Sequence, residues 1–163
     1  GVIMKSSYIR SPLFAPFARH LDFVSVDPGS LEELSRTLDR CRGILAEGRN
    51  LLVFPEGTRA PGPRLLPFKD IAFRLARDAG VPVVPVVVHN DVPVLGKRMA
   101  RIAPRRRFCT RVRFLEPTRC GEEERPAEFA SRVQRRLARE LRELDKGTDW
   151  ERLAAAGATE DGA

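Results

Sequence analysis

Short apolar runs alternate with segments of helical period along this chain, and that alternation constrains the fold more than any other feature. Residues 23–26, 51–54 and 83–88 are runs too short for a membrane span and rich in valine, leucine and phenylalanine, as sheet strands are. Between them, Leu31, Leu34, Leu38, Cys41 and Leu45 recur at three- and four-residue spacing and predict a helix over 30–47. Ser30-Leu31-Glu32-Glu33 opens it with a capping-box pattern. A shorter helix with Ile71, Leu75 and Ala79 on one face stops at Gly80, which suits a left-handed cap. Strand–helix–strand order implies right-handed crossovers and an α/β fold, a mostly parallel sheet flanked by helices.

The remaining elements follow from the same reading. A short helix is expected over 12–20 and a strand over 111–115. The uniformly β-branched run 83–88 reads as a strand covered on both faces, and Pro85 inside it implies a bulge or an unpaired edge position. Glu122-Glu123-Glu124 before Pro126 marks the start of a last helix, with carboxylates at the positive end of its dipole. Its stripe is Phe129, Val133, Leu137, Leu141 and Leu144, with Arg132, Arg135, Arg136, Arg139 and Arg142 around the rest. Such a helix either covers a sheet or lies on an anionic membrane. A chain of 163 residues fits one domain, placed at 1–145, with a Gly- and Ala-rich, weakly ordered tail at 146–163.

The candidate site is the loop Phe54-Pro55-Glu56-Gly57-Thr58-Arg59. Pro55 ends the preceding strand because it has no N–H to donate, and Gly57 lets the backbone turn tightly or approach a ligand. Arg59 offers a fork of donors matched to phosphate oxygens, and Thr58 adds a hydroxyl. Carboxylate, glycine, hydroxyl and guanidinium together suit an anionic, hydroxyl-bearing ligand. A strand's carboxyl end is also where open α/β sheets usually bind.

The six residues from Phe54 to Arg59 resemble the substrate-binding loop of the glycerolipid acyltransferases, the family typified by 1-acylglycerol-3-phosphate acyltransferase. Two further blocks are similar and in the same order. One is Pro67-Phe68-Lys69 leading into Ala79-Gly80-Val81-Pro82-Val83-Val84-Pro85-Val86; the other is Lys5, then Ser11-Pro12-Leu13-Phe14 and Phe23-Val24-Ser25-Val26-Asp27. The resemblance spans about residues 1–117 and departs at Pro28, where relatives carry arginine, and at Ile71, where they carry glycine.

The family's catalytic signature is a histidine followed five positions later by an aspartate, one helix upstream of the lysine that Lys5 matches. Five positions after His20 stands Ser25, and five after His89 stands Val94. The resemblance therefore implies no catalytic residue within these positions, with the family's histidine and aspartate expected upstream of Gly1. His20 and His89 are expected at a helix end or surface and at a strand-end loop.

The resemblance implies an acyltransferase of phospholipid biosynthesis without cofactor, moving an acyl group from acyl-CoA or acyl-carrier protein to a lysophospholipid such as 1-acylglycerol 3-phosphate. Lys5 and Arg59 would hold the phosphate, Glu56 and Thr58 the glycerol region, and Gly57 would permit close approach. The alternative is a non-catalytic relative that binds anions or membranes. A formal net charge of +7 favours anionic partners, including a membrane surface. Aromatics to stack bases are nearly missing from the basic stretch 97–107, where only Phe108 adjoins, so nucleic acid is not expected. Cys41, Cys109 and Cys120 lack paired short spacing, which argues against zinc or disulfides and for a reducing compartment. The cytoplasmic side of a membrane is the expected location, peripheral or anchored by a preceding segment.

Overall fold

The computed structural model describes residues 1–4, 23–25, 31–58, 64–90, 109–148, 151, 152 and 155. The expected helix at 12–20, Ser30 of the capping box, His20 and the basic stretch 97–107 lie outside them.

Strands β1 (Val2–Met4) and β2 (Phe23–Ser25) pair in parallel, Ile3 opposite Val24. On the other side of β1, Leu52 forms a parallel bridge with Val2, because Ile3 N–H donates to Leu52 O (3.0 Å) and Leu52 N–H to Gly1 O (2.8 Å). The 51–54 run is thus a single bridge rather than a full strand. Nor is it wholly buried: Leu51 packs inward, whereas Leu52 and Phe54 are exposed. Alternating sides is what an extended chain does, whatever its apolar content.

Helix α1 (Leu31–Ala46) covers this parallel unit, with Cys41 and Ile44 buried against Val24 and Leu75. Helix α2 (Ile71–Asp78) ends in a Schellman motif: Val81 N–H donates to Ala76 O and Gly80 N–H to Arg77 O, both 3.0 Å, with Gly80 at φ +64°. Its buried face is Phe73, Leu75 and Ala76. Ala79, expected on that face, is exposed because it is already the cap residue and has left the helical stripe. Leu75 enters the cluster under α1 while Phe73 enters a second cluster, so this short helix ties the two cores together.

The second core lies between helix α3 (Pro126–Asp145) and the antiparallel pair β3 (Val86–Asn90) and β4 (Thr110–Phe114). The α/β class stands, with one parallel and one antiparallel pair among the described strands. Val86 pairs with Phe114 and Val83 with Thr118, so three steps on one chain face four on the other. That one-residue bulge lies beside Pro85, whose carbonyl still accepts from Leu115 N–H (2.9 Å).

Val87 and His89 point into the core, while Val84 and Val88 are 45% and 59% exposed. The expectation of a strand covered on both faces therefore holds for one face only. A run of β-branched residues carries no alternation that would have told the two faces apart.

In α3, Phe129, Ala130, Val133 and Leu137 are buried, and Leu141 and Leu144 pack at the margin. Its apolar stripe is used in covering the sheet. Two of its arginines turn inward: Arg136 donates to Glu116 O (2.8 Å), and Arg132 donates to both Glu124 oxygens (2.8 and 2.7 Å) and to Thr118 Oγ1 (2.8 Å).

The Arg132 guanidinium holds the Glu124 carboxyl well below the carboxylate range, at about 2. A depressed acid stabilises the fold fully above its unfolded value and loses that contribution as pH falls toward the folded one. Glu124→Gln should therefore cost about 1–2 kcal/mol at neutral pH, after allowance for the partly exposed Arg132, and almost nothing near pH ~2. Urea titrations at both pH values check this; equal costs would remove the assignment.

Candidate functional site

The loop begins where the Leu52 segment leaves the parallel unit. Gly57 N–H donates to Phe54 O (3.0 Å), closing a turn with Gly57 at φ +69°. In that left-handed conformation a β-carbon is strained, so glycine is required on backbone grounds alone.

Two bonds hold this turn to the chain that returns after it. Lys69 N–H donates to Pro55 O (2.9 Å), and Leu66 N–H donates to Glu56 Oε2 (2.6 Å). Glu56 is half-buried, and burial pushes its carboxyl above the usual range while the Leu66 N–H pulls it back. It is thus a staple of its own loop through one oxygen. Helix α3 supports the same residue from behind, since Gln134 Nε2 donates to Leu66 O (2.9 Å).

The structure gathers Glu56, Gly57 and Thr58 in this turn, with Thr58 exposed. Lys5 and Arg59 lie outside the described residues. Two participants were assigned no site role from the sequence, although Lys69 stands in one of the blocks that carry the resemblance. Gln134 is 68 residues from Leu66, and no spacing along one chain could have linked them. Lys69 stands over Gly57: a β-carbon there would sit 3.0 Å from Lys69 Nζ and 3.1 Å from its Cε. The glycine thus admits both the turn and the lysine.

His89 is a correction. It lies within β3, 3% exposed, and its Nε2 is 3.0 Å from Asp145 Oδ1 at the end of α3. A strand alternates its side chains, and the face that receives Val87 also receives His89. The pair resembles the histidine–aspartate arrangement of general-base catalysis. With 2% of the imidazole exposed, however, no acceptor hydroxyl reaches it, and the pair acts as a clamp between β3 and α3.

Among the described residues, no group of three histidines, cysteines or acids converges to hold a metal, and no helix is long and apolar enough to cross a membrane. The described part of the loop sets a half-buried carboxylate, an exposed hydroxyl and the Lys69 side chain about one glycine turn.

An α/β fold with a glycine turn of this sequence after a parallel segment defines an acyltransferase-type domain, and residues 1–89 match the family model described as Acyltransferase. The chain belongs to that family. It is 34% identical over 124 residues to the 1-acyl-sn-glycerol-3-phosphate acyltransferase of Saccharomyces cerevisiae, covering 73% of this chain and 40% of the relative. To the Haemophilus influenzae protein of the same name it is 36% identical over 92 residues, covering 54% and 38%. The crystal structure of the 1-acyl-sn-glycerophosphate acyltransferase PlsC from Thermotoga maritima superposes with a TM-score of 0.63 at 26% identity, over 90% of this chain and 57% of that one. This chain accordingly spans about two fifths of those curated relatives.

Proposed function

We propose that this chain forms the acceptor-binding part of an enzyme that moves an acyl group from acyl-CoA or acyl-carrier protein to a lysophospholipid, with 1-acylglycerol 3-phosphate as acceptor. The observation that carries the reading is the turn at 54–58, closed by the Glu56–Leu66 bond and braced by α3, in a chain whose relatives are named for this reaction.

A turn held on both sides presents Thr58 with little backbone entropy left to lose on binding. Arg59 and Lys5 would neutralise the phosphate, and Thr58 would meet the glycerol hydroxyl region, with the second oxygen of Glu56 also available there. The base that the resemblance calls for, a histidine oriented by an aspartate, takes the acceptor hydroxyl's proton as oxygen attacks the thioester carbonyl and thiol leaves. No histidine of this chain has the spacing for that role. The residues here contribute by orientation, which can supply a large part of the barrier reduction in a two-substrate reaction.

The substrate and the basic charge suit the cytoplasmic face of a membrane with anionic headgroups. Against the non-catalytic membrane-binding alternative stands α3, whose apolar stripe is packed on the sheet.

In the full-length enzyme, Arg59→Ala should raise KM for lysophosphatidate roughly 10- to 100-fold, the worth of one charge-assisted bidentate contact, and leave KM for the acyl donor unchanged. Steady-state kinetics with each substrate varied in turn measure this, and an unaltered acceptor KM would contradict the phosphate role.

A further inference from the structure

We propose that Lys69, a residue that neither the loop motif nor the comparisons assign, is a direct binding group for the acceptor's phosphomonoester. The proposal rests on the acceptor-binding reading above and adds to it a specific cation.

Three observations converge on Lys69. Its backbone is fixed twice over: its N–H is bonded to Pro55 O, and Phe68 beside it stacks on Phe73 (centroids 6.1 Å apart) and packs against the α3 core. Its side chain then runs across Gly57, with Nζ, Cε and Cδ at 3.0, 3.1 and 3.5 Å from where a β-carbon would stand. Any other residue at position 57 would push that stem aside, beyond the strain of φ +69°.

The third observation is charge. Among the described residues, the Lys69 ammonium has neither an ion-pair nor a hydrogen-bond partner, although Glu56 is the residue next to Gly57. The Glu56 carboxylate instead accepts from the Leu66 N–H. Arg74 and Asp70, the charged pair on the first turn of α2, neutralise one another (3.3 Å). The Lys69 side chain therefore ends over the glycine turn without a counter-ion from any described residue. A compact ammonium with three donors suits the oxygens of a phosphate dianion.

Calorimetric titration of the full chain at neutral pH with glycerol 3-phosphate, inorganic phosphate and glycerol tests the proposal. Glycerol 3-phosphate should bind more tightly than inorganic phosphate, and glycerol should not bind. Lys69→Met, which keeps the stem over Gly57, should raise Kd for glycerol 3-phosphate about tenfold or more at low salt, and Lys69→Arg should recover most of the loss. Both variants should melt with the parent; if Lys69→Met does not, Lys69→Gln replaces it in the same comparison.

Unchanged affinity in Lys69→Met, with binding lost in Arg59→Ala, would overturn the role of Lys69 and leave the acceptor reading standing. Failure of the parent to bind either phosphate would overturn both. Equal affinity for the two anions would overturn the headgroup assignment in favour of a free-phosphate site.

Discussion

His89→Ala should lower the unfolding free energy by about 2–4 kcal/mol, the range for removing one partner of a buried, hydrogen-bonded polar pair. The imidazole is 2% exposed and the Asp145 side chain 15%, so the change leaves a hole and a half-buried carboxylate that has lost its partner. Burial already raises the Asp145 carboxyl above its ordinary range, and the hydrogen bond with His89 partly offsets that rise. A carboxyl raised in the folded state contributes most when protonated, below its unfolded value, and loses that contribution as pH climbs through the folded one. Without His89 the offset is gone, so the variant's deficit should be larger at pH ~7 than at pH ~4. Urea denaturation at the two pH values reads both parts. A deficit below about 1 kcal/mol, or one that ignores pH, would sink the clamp assignment.

Phe129→Ala should cost about 3–5 kcal/mol, the expected loss for a buried aromatic truncated to alanine. Phe129 is 0% exposed and meets the Phe73 ring edge-on, with centroids 5.4 Å apart and planes at 80°. The Arg132 guanidinium lies over the Phe129 ring, 4.8 Å from its centroid, so truncation also loosens the arginine that fixes Glu124 and Thr118. A domain of this size is stable by about 5–15 kcal/mol, which leaves the variant close to the folding threshold. Phe129→Leu, which keeps most of the volume, should cost no more than about 1.5 kcal/mol. Because Gln134 on the same helix supports Leu66, and Leu66 holds Glu56, headgroup affinity should fall along with stability. Equal unfolding midpoints for alanine and leucine would contradict the packing assigned to Phe129.

The elements were legible wherever local chemistry decides structure. Helices α1 and α3 follow from apolar residues repeating every three or four positions, and the stop at Gly80 from a glycine free to adopt positive φ. The bulge beside Pro85 follows from a residue without an N–H in a hydrogen-bonded ladder. The turn at Gly57 and the family of the loop are likewise local, carried by six consecutive residues.

The order of helices α1, α2 and α3, the strands β2, β3 and β4 and the family of one loop were thus legible in the sequence, whereas β1 carried no signal there and the 51–54 run is a bridge rather than a strand. Tertiary structure alone decided which sides of β3 and of the 51–54 run are covered, since periodicity tells inside from outside only when polar residues alternate. It also decided that His89 meets Asp145 across 56 positions, that Gln134 reaches Leu66 across 68, and that Lys69 comes to rest over Gly57. These contacts join residues with no shared local period. Their geometry is set by how helices and strands pack around two cores, and short-range preference carries no record of it.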